Sequence, residues 1–419
     1  MENLVINGGR RLSGEINIQG AKNSALPILA ATVLIKGKSV IHNCPDLSDI
    51  DAAIKILEHL GCKVSKENNT VTVDSDAISC YNIPDSLMRE MRSSIVFLGS
   101  VLGRMGKAVL SSPGGCDIGL RPIDLHLSSL RTLGIEINES HGSIICTKEK
   151  EIKGKVISLS FPSVGATENI ILASVLSKGR TIILNAAREP EIKDLADFLN
   201  SCGGQIDIGS HGTVVINGVS ELHECEHTVI SDRIAALTFM CCTAACGGDV
   251  VMTQTETDSY LSVIPVFEQM GCEIAKGKRV LRIKMNQRPL EVRDIRTMPY
   301  PGFPTDAQAP LMAVLCKAQG TSVLVENIFE NRFKHVPELQ RMGASVKVEG
   351  RVAIIDGVDA LYGAKTVCPD LRGGAALVIA GLSAFGTTVI EQIEHIDRGY
   401  ESIEKTLSDL GADIRRIKI

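Results

Sequence analysis

Residues 309–356 read APLMAVLCKAQGTSVLVENIFENRFKHVPELQRMGASVKVEGRVAIID, and this stretch decides the fold. It opens on an apolar, Ala-containing segment whose length and composition fit a buried helix. A glycine and a short β-rich run follow, GTSVLVE at 320–326. A second helical phrase then ends on Gly343, in LQRMGASV, and VKVEGRVAIID at 346–356 is two alternating runs joined by a turn.

The same beat recurs along the whole chain. The helix-stop phrase appears as ILEHLGCKV, LRTLGIEI, FLNSCGGQI, FEQMGCEI, LQRMGASV and LSDLGADI, with glycines at 61, 134, 203, 271, 343 and 411. The β-rich phrase appears as GKSVIHN, GKAVLSS, GRTIILN, GDVVMTQ, GTSVLVE and GTTVIEQ, each behind an apolar segment such as ALPILAATVLI or AALVIAGLSA. Six α/β units of about 70 residues divide naturally into two domains of three. The sixth unit ends after a single strand, ADIRRIKI, whereas residues 3–20 supply strands with no helix before them. The N-terminal strands should therefore complete the last domain, giving residues 22–229 as one domain and 1–21 plus 230–419 as the other.

Composition narrows the function. The chain has 419 residues, 44% hydrophobic and 22% charged, a formal net charge of -5, no Trp and only 3% aromatics. Nothing resembles a basic, aromatic-interleaved nucleic-acid surface or a polybasic membrane footprint, so small substrates are expected. Thirteen cysteines form no CxxC pair and no His/Cys cluster at metal-ligand spacing, and Cys241-Cys242 lie in an apolar stretch as small hydrophobes. Neither a signal peptide nor a membrane-length apolar run is present, which points to a reducing cytoplasm.

A strand that packs back on a buried helix must reverse direction, so its C-terminal end returns to the helix's N-terminal pole. At that pole the six buried helices begin with Lys22-Asn23, Arg92, Ser163, Arg233, Asp306 and Arg372. Four starts carry a cation at the end where the helix dipole disfavours one. A lone charge on a turn is usually just solvated, but four of them, with free helix N–H groups, make an anion-binding pole. Two such poles facing each other would form a phosphate-rich cleft. The second unit's loop is the longest of the first three: Gly106 to Gly134 spans 28 residues, against 24 in the first and third units. That loop holds Gly114-Gly115-Cys116 and is expected to be a flap presenting a thiol. The corresponding loop of unit six carries Asp397-Arg398-Gly399.

GAKNSALPILAA, PGGCDIGLRPIDLHL, SVGATENI, NAAREPEI, PTDAQAP, DLRGGAALVIAG and HIDRGYE follow one another along the chain, and in that order the sequence resembles the UDP-N-acetylglucosamine 1-carboxyvinyltransferase family of enolpyruvyl transferases. The resemblance implies two inside-out α/β barrel (prism) domains, helices inside and sheets outside, with the active site between them. It implies transfer of the enolpyruvyl group of phosphoenolpyruvate to the sugar 3′-hydroxyl, an early step of peptidoglycan synthesis, with no metal or organic cofactor. By motif, Lys22, Asn23, Arg121, Arg372 and Arg398 would hold phosphoenolpyruvate, work suited to guanidinium forks. Cys116 would protonate C3, could itself form an adduct with phosphoenolpyruvate, and would be the thiol alkylated by fosfomycin; nearby arginines should lower its pKa. The nucleotide sugar would meet Arg92, Arg121, Pro122, Ile123, Asp124, Leu125, Ser163, Val164, Gly165, Asp306 and Ile328. Asp306 would orient and deprotonate the hydroxyl, with Asp370 as a second candidate.

Plain structural readings stand beside these. Thr305-Asp306 before an apolar helix is an ordinary N-cap, and so is Ser163. Some family members carry Lys just ahead of the Ser163 turn, where this chain has Phe161-Pro162. The rival readings are a 5-enolpyruvylshikimate-3-phosphate synthase and an idle nucleotide-sugar-binding paralogue.

Overall fold

The computed structural model describes residues 2–111 and 123–418, and of Arg92 the backbone alone. Six helices begin the six units: Lys22–Ala31, Phe97–Met105, Val164–Ser174, Arg233–Cys246, Gln308–Leu315 and Leu371–Ser383. Being apolar on every side, they have no face to offer water and become the core. Every residue from 234 to 245 is buried, and so is every residue from 372 to 383. Small residues set how closely these helices approach. A Cβ on Gly99 would stand 2.5 Å from the Asn169 carbonyl, so the second and third core helices touch only because position 99 is glycine.

The second helix of each unit is amphipathic. In Ser48–Leu60 the buried Ile50, Ala53, Ile56, Leu57 and Leu60 form one stripe, and Gly61 ends the helix in the left-handed region. All six repeat glycines have φ between 90° and 104°. Any residue with a Cβ would cost about 1–2 kcal/mol there, which is why the period is written in glycine.

The strands form six four-stranded sheets among the described residues. In five of them the strand after the core helix pairs antiparallel with the second strand of a hairpin, as in Lys107–Ser111 with Ser143–Thr147. A fourth strand pairs parallel to it on the other side, six residues long in two sheets and two or three in the others. In the second and third units it is Asn82–Ile83 and Val156–Ser158, so the core helix is the crossover of a βαβ unit. That short strand was not anticipated, because two or three residues carry no readable alternation.

The chain forms two compact units, residues 20–111 with 123–230, and residues 2–19 with 231–418. Each has its own apolar core. Glu2–Asn7 lies between Thr387–Glu391 and Asp413–Lys418, supplying the strand that unit six lacks. Leu12–Asn17 instead runs parallel to Gly248–Thr253 in the fourth sheet. In exchange His223–Thr228, which precedes the fourth core helix, pairs parallel with Lys36–His42 in the first. No helix among the described residues is long and apolar enough to cross a membrane.

Candidate active site

Among the described residues, the segment leaving the first strand comes back to the start of that unit's own core helix in four units. Lys22 Nζ meets Asp49 Oδ2 at 3.0 Å, Thr167 Oγ1 accepts from the Ala187 N–H at 3.0 Å, Arg332 Nη2 meets Asp306 Oδ1 at 2.5 Å, and Arg372 Nη1 donates to the Tyr400 hydroxyl at 3.0 Å. The reversal expected of a helix–strand pair therefore gathers loop side chains at the N-terminal poles of these four helices.

Two of the cations at these poles are not waiting bare for an anion. Lys22 is 8% exposed and Arg372 4%; Lys22 is held by Asp49 of its own unit and Arg372 by Asp306 of the unit before it. A charge that deeply buried requires a partner. Burial works against the Arg372 charge, yet Tyr400 and the carboxylates of Asp306 and Asp232 hold its pKa above the ordinary guanidinium value. Asn23 beside Lys22 is exposed.

Asp306 sits in a 3₁₀ turn, Thr305–Ala307, and caps nothing; its Oδ1 is taken by Arg332 and its Oδ2 by Arg372 at 3.2 Å. Electrostatic pairing with two buried guanidiniums outcompetes the N-cap role expected of it. Glu326, fully buried, holds the turn in place. Its Oε2 accepts from Thr305 Oγ1 at 2.9 Å, while Oε1 accepts from the N–H groups of Ile328 at 2.8 Å and Phe329 at 3.1 Å. The half-buried Ile328 and Asp306 are thus pinned by one side chain. Asp370 is an N-cap instead, its Oδ1 accepting from the Arg372 and Gly373 N–H groups at 2.9 Å.

In the other unit Ser163 does cap its helix, accepting weakly from the Ala166 N–H at 3.4 Å. Val164 and Gly165 are half-buried in the first turn. Ile123 precedes the helix Asp124–Thr132, with Asp124 exposed and Leu125 half-buried; Leu125 also lines an open groove of about 260 Å³ with residues 156–160. Arg398 is half-buried at the end of the 3₁₀ turn Ile393–Arg398, whose Asp397 is gripped by Arg416. Arg92 begins a 3₁₀ turn. Cys116, Arg121 and Pro122 lie outside the described residues.

Sequence reasoning missed Asp49, Glu326, Arg332 and Tyr400. Arg332 and Tyr400 follow the β-rich phrases of units five and six, whose loops had to reach the same poles, but no local signal marks which side chain of such a loop turns inward. The buried thiols of Cys241 and Cys242 fit the expectation of packing, their pKa values pushed well up by burial.

The family model described as EPSP synthase (3-phosphoshikimate 1-carboxyvinyltransferase) matches residues 6–407. The chain is 54% identical over 417 residues to UDP-N-acetylglucosamine 1-carboxyvinyltransferase 2 of Caldanaerobacter subterraneus subsp. tengcongensis, covering 100% of both. It is 46% identical to UDP-N-acetylglucosamine 1-carboxyvinyltransferase of Trichlorobacter lovleyi, covering 100% of this chain and 99% of the relative. Among solved structures, the enolpyruvyl transferase NikO from Streptomyces tendae superposes with a TM-score of 0.90 at 25% identity, covering 100% and 99% of the two chains. An EPSP synthase from Acinetobacter baumannii shares the fold, with a TM-score of 0.77 at 18% identity and 100% coverage of both.

Proposed function

This chain belongs to the EPSP synthase family of carboxyvinyltransferases, and on that footing we propose that it is the member acting on a nucleotide sugar. It moves the enolpyruvyl group of phosphoenolpyruvate to the 3′-hydroxyl of UDP-N-acetylglucosamine and releases phosphate, in the cytoplasm, at the head of peptidoglycan precursor synthesis. The observation that carries this is identity of 54% along the full length of a relative so named. The 3-phosphoshikimate reading rests on the family model's description and on a neighbour only 18% identical, so it stands second.

The hydroxyl oxygen adds to C2 of phosphoenolpyruvate while C3 takes a proton, and the tetrahedral adduct then loses a proton and phosphate. Lys22, Asn23, Arg121, Arg372 and Arg398 hold the phosphate and carboxylate; Cys116 delivers the C3 proton. Asp306 orients and deprotonates the hydroxyl. Its half-buried carboxylate beside two arginines, on a turn that Glu326 braces, supports a preorganised role. Arg92, Arg121, Pro122, Ile123, Asp124, Leu125, Ser163, Val164, Gly165 and Ile328 bind the nucleotide sugar.

The test is phosphate release from phosphoenolpyruvate with UDP-N-acetylglucosamine or shikimate-3-phosphate as acceptor, for the native chain and Cys116→Ala. Release with the nucleotide sugar alone, lost in the variant, is expected; release with shikimate-3-phosphate alone overturns the proposal. Fosfomycin should inactivate the native enzyme by alkylating Cys116 and leave a Cys116→Asp form active.

A further inference from the structure

Asn169, one turn into the third core helix, is fully buried, and its neighbours orient its amide. The Gly99 N–H donates to Oδ1 at 2.6 Å, so Nδ2 is the atom facing the Ile95 carbonyl at 3.1 Å and His126 Nδ1 at 2.9 Å. The Gly165 carbonyl, at 3.3 Å, is a longer third contact. A donor opposite Nδ1 settles the tautomer of His126: Nδ1 accepts and the proton is on Nε2. Burial pushes the His126 pKa down to about 4 against the opposing pull of Asp124, so the ring is neutral at physiological pH.

His126 is only 7% exposed, and its Nε2 has no hydrogen-bond partner among the described residues. The position of the ring shows where an acceptor for this N–H would come from. A Cβ on Gly165 would stand 2.8 Å from His126 Cε1 and 3.2 Å from Nε2, so this edge of the imidazole lies against the first turn of the Val164–Ser174 helix. There Ser163 caps only the Ala166 N–H, and the remaining free N–H groups with the helix dipole favour an anion.

We infer that His126 donates its Nε2–H to a diphosphate oxygen of the nucleotide sugar at the Ser163–Gly165 turn, and that Asn169 is the positioning residue holding the imidazole in that tautomer. The inference rests on the nucleotide-sugar reading above and adds a donor to it. It also explains how a turn preceded by Phe161 rather than a cation can hold the diphosphate.

The experiment is calorimetric titration of UDP into the native protein and His126→Leu, His126→Gln and His126→Asn, with steady-state KM for both substrates. Gln places an amide N–H where Nε2–H stood, whereas Asn reaches only the Nδ1 position. Leu and Asn should weaken UDP binding about tenfold or more, the scale of a lost hydrogen bond to a charged group. They should raise KM for the nucleotide sugar in parallel and leave KM for phosphoenolpyruvate within about twofold, and Gln should restore binding. Equal UDP affinity in all four folded proteins overturns the inference, as does equal loss in Gln and Asn. A native protein that binds UDP but turns over no nucleotide sugar sinks the proposed function instead. Nitrogen-15 histidine spectra of the native protein should show His126 protonated at Nε2 at neutral pH; an Nδ1-protonated or cationic ring removes Asn169 from the argument.

Discussion

Arg332, which is 3% exposed, and Asp306, on the turn ahead of the fifth core helix, meet at 2.5 Å across 26 residues of chain. Arg372 takes the second carboxylate oxygen, so one acidic group neutralises two buried guanidiniums. Asp306→Ala should therefore destabilise the fold by about 3–5 kcal/mol in urea unfolding, the scale of leaving buried charges uncompensated. Asp306→Asn, which keeps an acceptor oxygen, should cost less stability but lower kcat by about 10²–10⁴, the range for losing a general base. Undiminished kcat in Asn would remove Asp306 from the chemistry.

Arg416 joins three carboxylates. Its guanidinium reaches Asp397 at 2.9 and 2.6 Å, Glu404 at 2.9 Å and Glu2 at 3.0 Å, tying the last strand to the turn that carries Arg398. These bonds, Asp397 first, hold its pKa above the ordinary value even though burial opposes it. Arg416→Met should raise KM for phosphoenolpyruvate severalfold, with KM for the nucleotide sugar unchanged and about 1–3 kcal/mol of stability lost. A shift in both KM values alike would mean that the turn does not depend on Arg416.

Glu168 is buried in the third core helix, and desolvation, with Glu191 and Glu189 nearby, raises its pKa well above 4.5. The folded chain keeps this proton while the unfolded chain releases it, so stability is lost as pH rises above about 4.5. Glu168→Gln should raise Tm at pH 8 by more than it does at pH 5. An equal effect at both values would show that the carboxyl ionises as freely folded as unfolded.

The thiols of Cys202 and Cys225 lie 2.8 Å apart, 23 residues separated in sequence. The hydrogen bond from Cys202 lowers the pKa of the half-buried Cys225, which makes it the better nucleophile of the two. A small-molecule disulfide such as oxidised glutathione should attach to Cys225 and be displaced by Cys202, leaving an internal disulfide and two glutathione thiols. Peptide mass spectrometry should find the Cys202–Cys225 link, Cys202→Ser should stop at the mixed disulfide, and the linked form should be about 3 kcal/mol more stable by loop-closure entropy. Failure to find that link after full oxidation would show that the two sulfurs do not approach in solution.

The repeat was legible because its marks are local. A glycine at positive φ and a helix apolar on all sides need no distant partner to be recognised, and both recur at each of the six positions. Much of the candidate site was legible for the same reason: Lys22, Ser163, Asp306 and Arg372 all stand at helix starts, which sequence can locate. Their partners were not, since nothing in a loop such as ENRFKH says which residue turns inward.

By itself, then, the sequence determined the six α/β units, their buried helices and the end of each unit where charge collects, because these follow from local backbone preference and apolar periodicity. The tertiary structure alone decided that Leu12–Asn17 and His223–Thr228 exchange sheets, that Arg332 and not water answers Asp306, and that Asn169 sets the proton on His126. Alternation says that a strand exists without naming its neighbour, and a buried polar atom chooses its partner only when packing has excluded water.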